Sequence, residues 1–560
     1  MKYIHFFIFS LFLSLKVANP PVEYLLHPDN SLKRFDVISQ KGSLKNNAVI
    51  DIRRMDESLY FFGTGNGLSF GESQMDGSIE FGFFTNKEMP RGGNPALAVF
   101  ENSIAVSGVI DTIVATGSEP MGTGIALSLD GGESWNYLPQ PVDPDTAYFP
   151  HLDLTQCGEM EYMWNTETGC FSNTHWNIDW GGEEVSSLLA SAEVNNVSYD
   201  LSLNADYLYA ASWAGGIRRY ALEQTEPGGG WQNIPLPLDD DLNLLCGVID
   251  SSYFLNPRDP VDNGNHNHKG FSVYTIADTV WAGTAAGINK GIINGECIDW
   301  VGHYTSWMQN ISGNWVIGFT HQEFTDKTRL WAITWAADSQ GEFHGLSYTD
   351  DGGESWHTTM PSGSSEKVYN LYGDSSGIWA AAESGLYYSI DGIHWEKHLR
   401  PVDDTSGEEL LSESAMTVYH NQLSDELWMG NGDGLAKSND NGSSWTVYRF
   451  WEKNNANSEE EFLSVYPNPF FINDYNQVNG DGFVRFVFPN ASQKSNRIDI
   501  FDFAMDRVTQ VQGNTLLIGS ESEILWNGRN EFGDKAVNGV YFCRLTLGQT
   551  TYWTKLIIIN

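Results

Sequence analysis

One short phrase occurs four times in this chain, and it constrains the fold more than any other feature. The copies are SLDGGESW (128–135), TDDGGESW (349–356), SIDGIHW (389–395) and SNDNGSSW (438–445). Three fit S/T-x-D-x-G-x-S-W, and the third is one residue shorter. Each follows an apolar, aromatic-rich run and a Gly-Leu or Gly-Ile step. A phrase repeated at long, uneven intervals points to a repeat architecture. Its chemistry suits a β-hairpin turn. Ser128, Thr349, Ser389 and Ser438 open the copies. Asp130, Asp351, Asp391 and Asp440 can accept backbone N–H bonds across the turn. Gly132, Gly353, Gly392 and Gly442 supply the bend, and Trp135, Trp356, Trp395 and Trp445 pack between sheets. That job is structural rather than catalytic.

A second landmark counts the repeats. An apolar strand start, a small-residue turn and then Gly-Leu or Gly-Ile recur at Leu59, Thr112, Leu208, Val280, Leu330, Ile378 and Leu427, with glycines at Gly67, Gly124, Gly216, Gly287, Gly345, Gly385 and Gly434. Seven copies over about 400 residues predict an all-β fold, a seven-bladed β-propeller of four-stranded blades over 33–451. Two spacings exceed a blade, and they place insertions at about 140–195 and 236–269. Connections between blades leave on the face that also carries the turns between second and third strands, so both insertions are expected on one face. Long structured loops on a rigid scaffold are where binding resides. Trp213 and Trp335 stand at that rim, in turns where other copies carry small residues, and Trp176 and Trp180 lie in the first insertion. These four are the candidate ligand-binding residues, with core packing as the alternative for each. Cys157 and Cys170 share one loop-like segment and form the expected disulfide. Cys246, Cys297 and Cys543 remain unassigned.

Charge narrows the partners. The 560 residues carry a formal net charge of −41, the wrong sign for binding nucleic acid or an anionic membrane surface. Acidic stretches at 239–241 and 479–482 could supply oxygen ligands to calcium, although neither has an EF-hand pattern; no other cofactor is indicated. The paired histidines of HNHKG (266–270) lack a third metal ligand, and there is no C-x-x-C or H-E-x-x-H for zinc. The N-terminus reads as a signal peptide over 1–18: one Lys, then an apolar run too short to span a bilayer. No later stretch is apolar and long enough to form a transmembrane segment. A secreted or outer cell-surface protein is expected.

The repeated phrase resembles the Asp-box of β-propellers, in whose families the box is not the active site. After the polar segment 452–463, the pieces YPNPF, IDIFD, WNGRNEFG, GVYFCRL and KLIII alternate with period two, as in a small antiparallel sandwich. Together they resemble the FlgD-type immunoglobulin-like domain and the related C-terminal sorting domain of the type IX (Por) secretion system. That resemblance covers 464–560. It implies an immunoglobulin-like β-sandwich that engages secretion machinery. The whole resembles exported bacterial proteins that join an Asp-box propeller to such a tail, and it implies no reaction. The reading is therefore a non-catalytic module binding an extracellular glycan or protein ligand. The alternative is a glycoside hydrolase, because sialidases and some xyloglucanases use Asp-box propellers. A sialidase would need an Arg-Ile-Pro step, which is absent. Arg53-Arg54 sits in a different phrase, DIRRMD, and Arg218-Arg219 falls on an outer strand.

Overall fold

A computed structural model describes residues 39–41, 44–138, 197–246, 266–449 and 463–559, except for 75–76, 115–116, 214, 224–230, 296, 338–339, 405–408, 411, 467, 473–482, 490–494, 513–516 and 519–520. The expected signal peptide, Cys157, Cys170, Trp176, Trp180, the acidic stretch 479–482 and residues 452–462 lie outside them.

The described chain is all-β, and its one helical element is the 3-10 turn His266–His268. Between Val49 and Tyr448, antiparallel sheets follow one another, each built from consecutive strands. The first holds Val49–Arg54, Leu59–Thr64, Gly67–Ser73 and Ile79–Phe84, with Ser39–Lys41 added along its outer edge. The second holds Leu97–Phe100, Ser103–Val114, Gly117–Ser128 and Asn136–Leu138; the third, Ser198–Leu203, Tyr207–Ser212, Gly216–Ala221 and Trp231–Ile234. The fourth holds Gly270–Ile276, Thr279–Thr284, Gly287–Asn294 and Cys297–Tyr304; the fifth, Trp315–Glu323, Thr328–Trp335, Gly345–Thr349 and His357–Thr359. The sixth holds Val368–Asp374, Gly377–Ala382, Gly385–Ser389 and Glu396–Lys397; the seventh, Thr417–Asn421, Glu426–Gly430, Leu435–Ser438 and Thr446–Tyr448.

The first strand of each sheet touches the first strand of the next, and Thr417–Asn421 returns to Val49–Arg54. That closed ring is a β-propeller. Second strands such as Gly377–Ala382 and Glu426–Gly430 are buried along their whole length. Neighbouring sheets cover both their faces, so they read as unbroken apolar runs rather than alternating ones. Among the described residues no strand is shared across the seam, which closes through side chains and the backbone bond from Val49 N–H to the Asn431 carbonyl. Val49, Ile52, Tyr60, Phe62, Trp428 and Leu435 form one apolar cluster across the seam. Tyr60 donates its hydroxyl to Glu426, which also pairs with Lys437.

The landmark at Thr112 falls elsewhere than its fellows. It is the outer end of a long hairpin, and Ile104–Ser107 pair with Ile125–Ser128 where the other copies begin. Cys246 and Cys297 form a disulfide. With the bridge between Leu244 and Trp300, it fastens the segment after the third sheet to the edge of the fourth.

The tail is a two-layer sandwich. Ser464–Tyr466, Val484–Pro489, Glu521–Trp526 and Leu517–Ile518 form one sheet; Phe470–Phe471, Thr550–Ile559, Gly539–Leu547, Asn496–Phe501 and Arg507–Gln512 form the other. Val465, Phe486, Ile524 and Trp526 meet Ile498, Ile500, Leu545 and Leu556 in a core of its own. Cys543 is a free thiol buried there, and burial pushes its pKa up.

Candidate functional site

The innermost strands carry a shared irregularity. Register shifts fall between Val49 and Asp51, Ser198 and Asp200, Gly270 and Ser272, Val316 and Gly318, and Val368 and Asn370. A bulge leaves one residue unpaired and re-aims the next side chain. At Asp200, Ser272 and Asn370 the side chain after the shift reaches the neighbouring inner strand. Asp200 Oδ2 accepts the Val273 N–H at 3.1 Å and Oδ1 accepts its neighbour Leu201's at 2.9 Å. Asn370 Oδ1 accepts the Val418 N–H at 3.3 Å. Ser272 donates to the Val316 carbonyl at 2.8 Å. Each such side chain brackets one sheet to the next.

The same strands converge on the axis. The Arg53 charge acts on Asp200 of the third sheet and Tyr274 of the fourth, although neither sheet adjoins its own. Tyr372 of the sixth interacts with Tyr419 of the seventh and Tyr274 of the fourth. Groups from non-adjacent sheets meet only around the central channel. Desolvation pushes Asp200 up to about 7; the nearby Asp51 charge adds to the rise, and Arg53 and two backbone N–H bonds oppose it. Asp51 is raised by burial too, with Arg53 Nη1 3.0 Å from Oδ1. Burial pushes Tyr274 up to about 12, so its hydroxyl is a donor, and it bonds His321 Nδ1 at 2.7 Å. Desolvation lowers His321, leaving it a neutral acceptor. Asp200 and Tyr274 keep part of their surface open to the channel yet are surrounded by protein. The cluster of Asp51, Arg53, Asp200, Tyr274, Tyr372 and Tyr419 is the candidate site. It offers one fixed cation, phenol donors, and a carboxyl that changes charge near neutrality. Sequence reasoning passed over all but Arg53. The signal was the third position of VID, SYD and VYN at the inner-strand starts.

The four repeated phrases sit between third and fourth strands, and all build one network. In the fifth sheet, Thr349 donates to Asp351 Oδ1 at 2.7 Å and accepts the Gly353 N–H at 2.8 Å. Ser355 gives Asp351 its N–H at 2.9 Å and its hydroxyl at 2.5 Å. Burial would raise the Asp351 pKa, but these donors outweigh it and bring it down to about 2. Ser128, Asp130 and Ser134 repeat the pattern, as do Ser438, Asp440 and Ser444. In the shorter copy His394 replaces the serine, 2.7 Å from Asp391 Oδ2. The tryptophans reach back to the preceding sheet: Trp135 to Phe84, Trp356 to Trp281 and Trp395 to Trp331. The phrases and the axial cluster are thus separate features.

Trp213 and Trp335 are each 2% exposed. Trp213 packs on Phe271 with Lys269 over its ring, and Trp335 donates to the Val368 carbonyl at 2.9 Å. His268 Nε2 lies 2.9 Å from the Leu236 carbonyl, and His266 Nδ1 the same distance from Lys269 Nζ. Asp239 accepts the His266 and Asn267 N–H groups. No group of three or more His, Cys, Asp or Glu among the described residues could hold a metal ion. No helix among them is long and apolar enough to cross a membrane.

The fold defines a β-propeller protein with an appended two-sheet domain. No protein-family model matches the chain, and no curated protein does. Among solved structures it is similar to PorZ, a bacterial surface component of the type-IX secretion system of Porphyromonas gingivalis, at 12% identity and a TM-score of 0.33, over 92% of this chain and 82% of that one. It is also similar to the GH74 enzyme of Niastella koreensis, at 11% identity and a TM-score of 0.42, over 93% and 74%. A third likeness is to YCF48 bound to D1 peptide, at 14% and 0.37, over 74% and 98%.

Proposed function

We propose that this chain is an exported, seven-bladed Asp-box propeller that binds an extracellular glycan or protein ligand without transforming it, and that an immunoglobulin-like, FlgD-type or sorting-type tail directs its placement through secretion machinery. One observation carries the non-catalytic reading. Both oxygens of Asp200, an axial carboxyl pushed up to about 7, are engaged by backbone N–H groups. Those bonds hold the carboxyl against the inner strands, whereas a general acid or base must be aimed at the substrate. The Cys246–Cys297 disulfide and the signal-like N-terminus support export.

A glycoside hydrolase is the second reading, favoured by that same Asp200. A carboxyl held to about 7 is what a general acid requires at neutral pH. One experiment separates the two. The full chain is screened on a glycan array and assayed for hydrolysis of every glycan it retains. Binding without turnover, unchanged in Asp200→Asn, fits the first reading. Turnover abolished by Asp200→Asn overturns it.

A further inference from the structure

The two domains touch through charge. Asp433 lies in the turn before Leu435–Ser438, and Arg449 follows Thr446–Tyr448. Arg485 and Glu523 stand on Val484–Pro489 and Glu521–Trp526 of the tail, which pair as neighbours. Arg449 Nη2 is 2.5 Å from Asp433 Oδ2, Asp433 Oδ1 is 2.7 Å from Arg485 Nη2, Arg485 Nε is 2.8 Å from Glu523 Oε1, and Glu523 Oε2 is 3.5 Å from Arg449 Nη1. The four form a closed ring of alternating sign, two guanidiniums and two carboxylates. Their side chains are only 3–11% exposed.

We infer that this ring is a reversible latch that holds the tail on the seventh sheet in one orientation. Three observations carry the inference. The ring is buried, so its charges depend on one another rather than on water. Each guanidinium lies within ion-pair distance of both carboxylates, so no charge of the ring rests on a single partner. Among the described residues, the apolar core of the tail includes no propeller residue, and the propeller clusters bordering the seventh sheet include no tail residue. Domains joined by polar groups while each keeps its own core can separate without unfolding. The desolvation cost of buried ions makes the docked state sensitive to any single lost charge. A tail that must be handed to another protein gains from such a contact: it is ordered while docked, and release exposes Arg485 and Glu523.

The test uses the full chain and small-angle X-ray scattering, with calorimetry reporting the fold of each domain. Asp433→Asn leaves two guanidiniums facing one carboxylate. It should shift the docked-to-released equilibrium by about a hundredfold toward release, seen as a larger radius of gyration with both thermal transitions retained. The double variant Asp433→Asn/Arg485→Gln removes one charge of each sign and should recover a compact particle. If Asp433→Asn disturbs the propeller, Glu523→Gln in the other domain carries the same prediction. A folded Asp433→Asn or Glu523→Gln as compact as the parent overturns the latch. A double variant as extended as the single overturns charge pairing as its cause.

Discussion

Replacing Asp200 by Asn should make stability less dependent on pH, and the size of the change follows from the channel. The folded carboxyl titrates at about 7 against 3.8 in an unperturbed aspartate. The unfolded chain therefore ionises first as pH rises. Stability held by the protonated folded form is complete below the unfolded pKa and is lost as pH climbs through about 7. At about 1.4 kcal/mol per pH unit, the gap between 3.8 and about 7 costs about 4 kcal/mol above pH 8. At pH 5 only about 1.5 kcal/mol of that cost is present. The introduced amide cannot titrate, and its oxygen replaces only one of the two acceptors for Leu201 and Val273. Losing the other costs about 1 kcal/mol at every pH. The variant should thus be close to the parent at pH 5 and about 3 kcal/mol more stable at pH 8. Urea melts followed by tryptophan fluorescence at both values measure this. Titrating groups that do not interact with Asp200, such as the depressed His321 and His344, occur in both proteins and cancel in the difference. A swing below about 0.5 kcal/mol would mean that water in the channel solvates the carboxylate, and the desolvation argument would fail.

Other outcomes follow from named contacts. Asp351→Ala removes bonds from Thr349 and Ser355 and should cost roughly 1–3 kcal/mol in a denaturant melt, with any ligand binding by the folded protein unchanged. Trp335→Ala deletes a buried ring bonded to Val368 and should cost about 3–5 kcal/mol; lost binding at parental stability would instead make Trp335 a ligand platform. Cys246→Ser/Cys297→Ser opens a loop spanning 51 residues and should cost about 2–4 kcal/mol, measured as a lower urea midpoint.

Some of this was legible because its chemistry is local. Eight residues of the repeated phrase contain the donor, the acceptor, the bend and the packing ring of the turn they build. The landmark glycines are legible for a similar reason. Gly287 has φ +126°, and a Cβ there would lie 2.2 Å from the Tyr304 carbonyl oxygen. The axial cluster is legible only after the inner strands are aligned, because Asp51, Asp200 and Tyr274 meet through closure of the ring and not through any short segment. Trp213 and Trp335 were ambiguous for a different reason. A large ring in a turn fits both packing and binding, and the neighbours that bury it, such as Phe271 and Val368, come from other sheets. The charge ring had no local signal at all: Asp433 reads as part of a glycine turn, and Arg485 as the polar residue of an alternating strand.

Closure also decides how the features share the surface. A chain that enters each sheet at its inner strand and leaves at its outer one returns to its starting face after four strands. The turns between second and third strands lie on that face too. Leu138 ends a fourth strand and Val197 precedes a first strand, so both stand on that face, and the Asp433 turn lies on the same side. The repeated phrases occupy the opposite face and brace the rim, each Trp against the sheet before it. The repeated phrases thus brace one side of the ring, while the docked tail sits on the other. The state of the Asp433–Arg485 contact then determines how much of that face is open. The inner-strand brackets from Asp200, Ser272 and Asn370 hold the sheets that carry both faces.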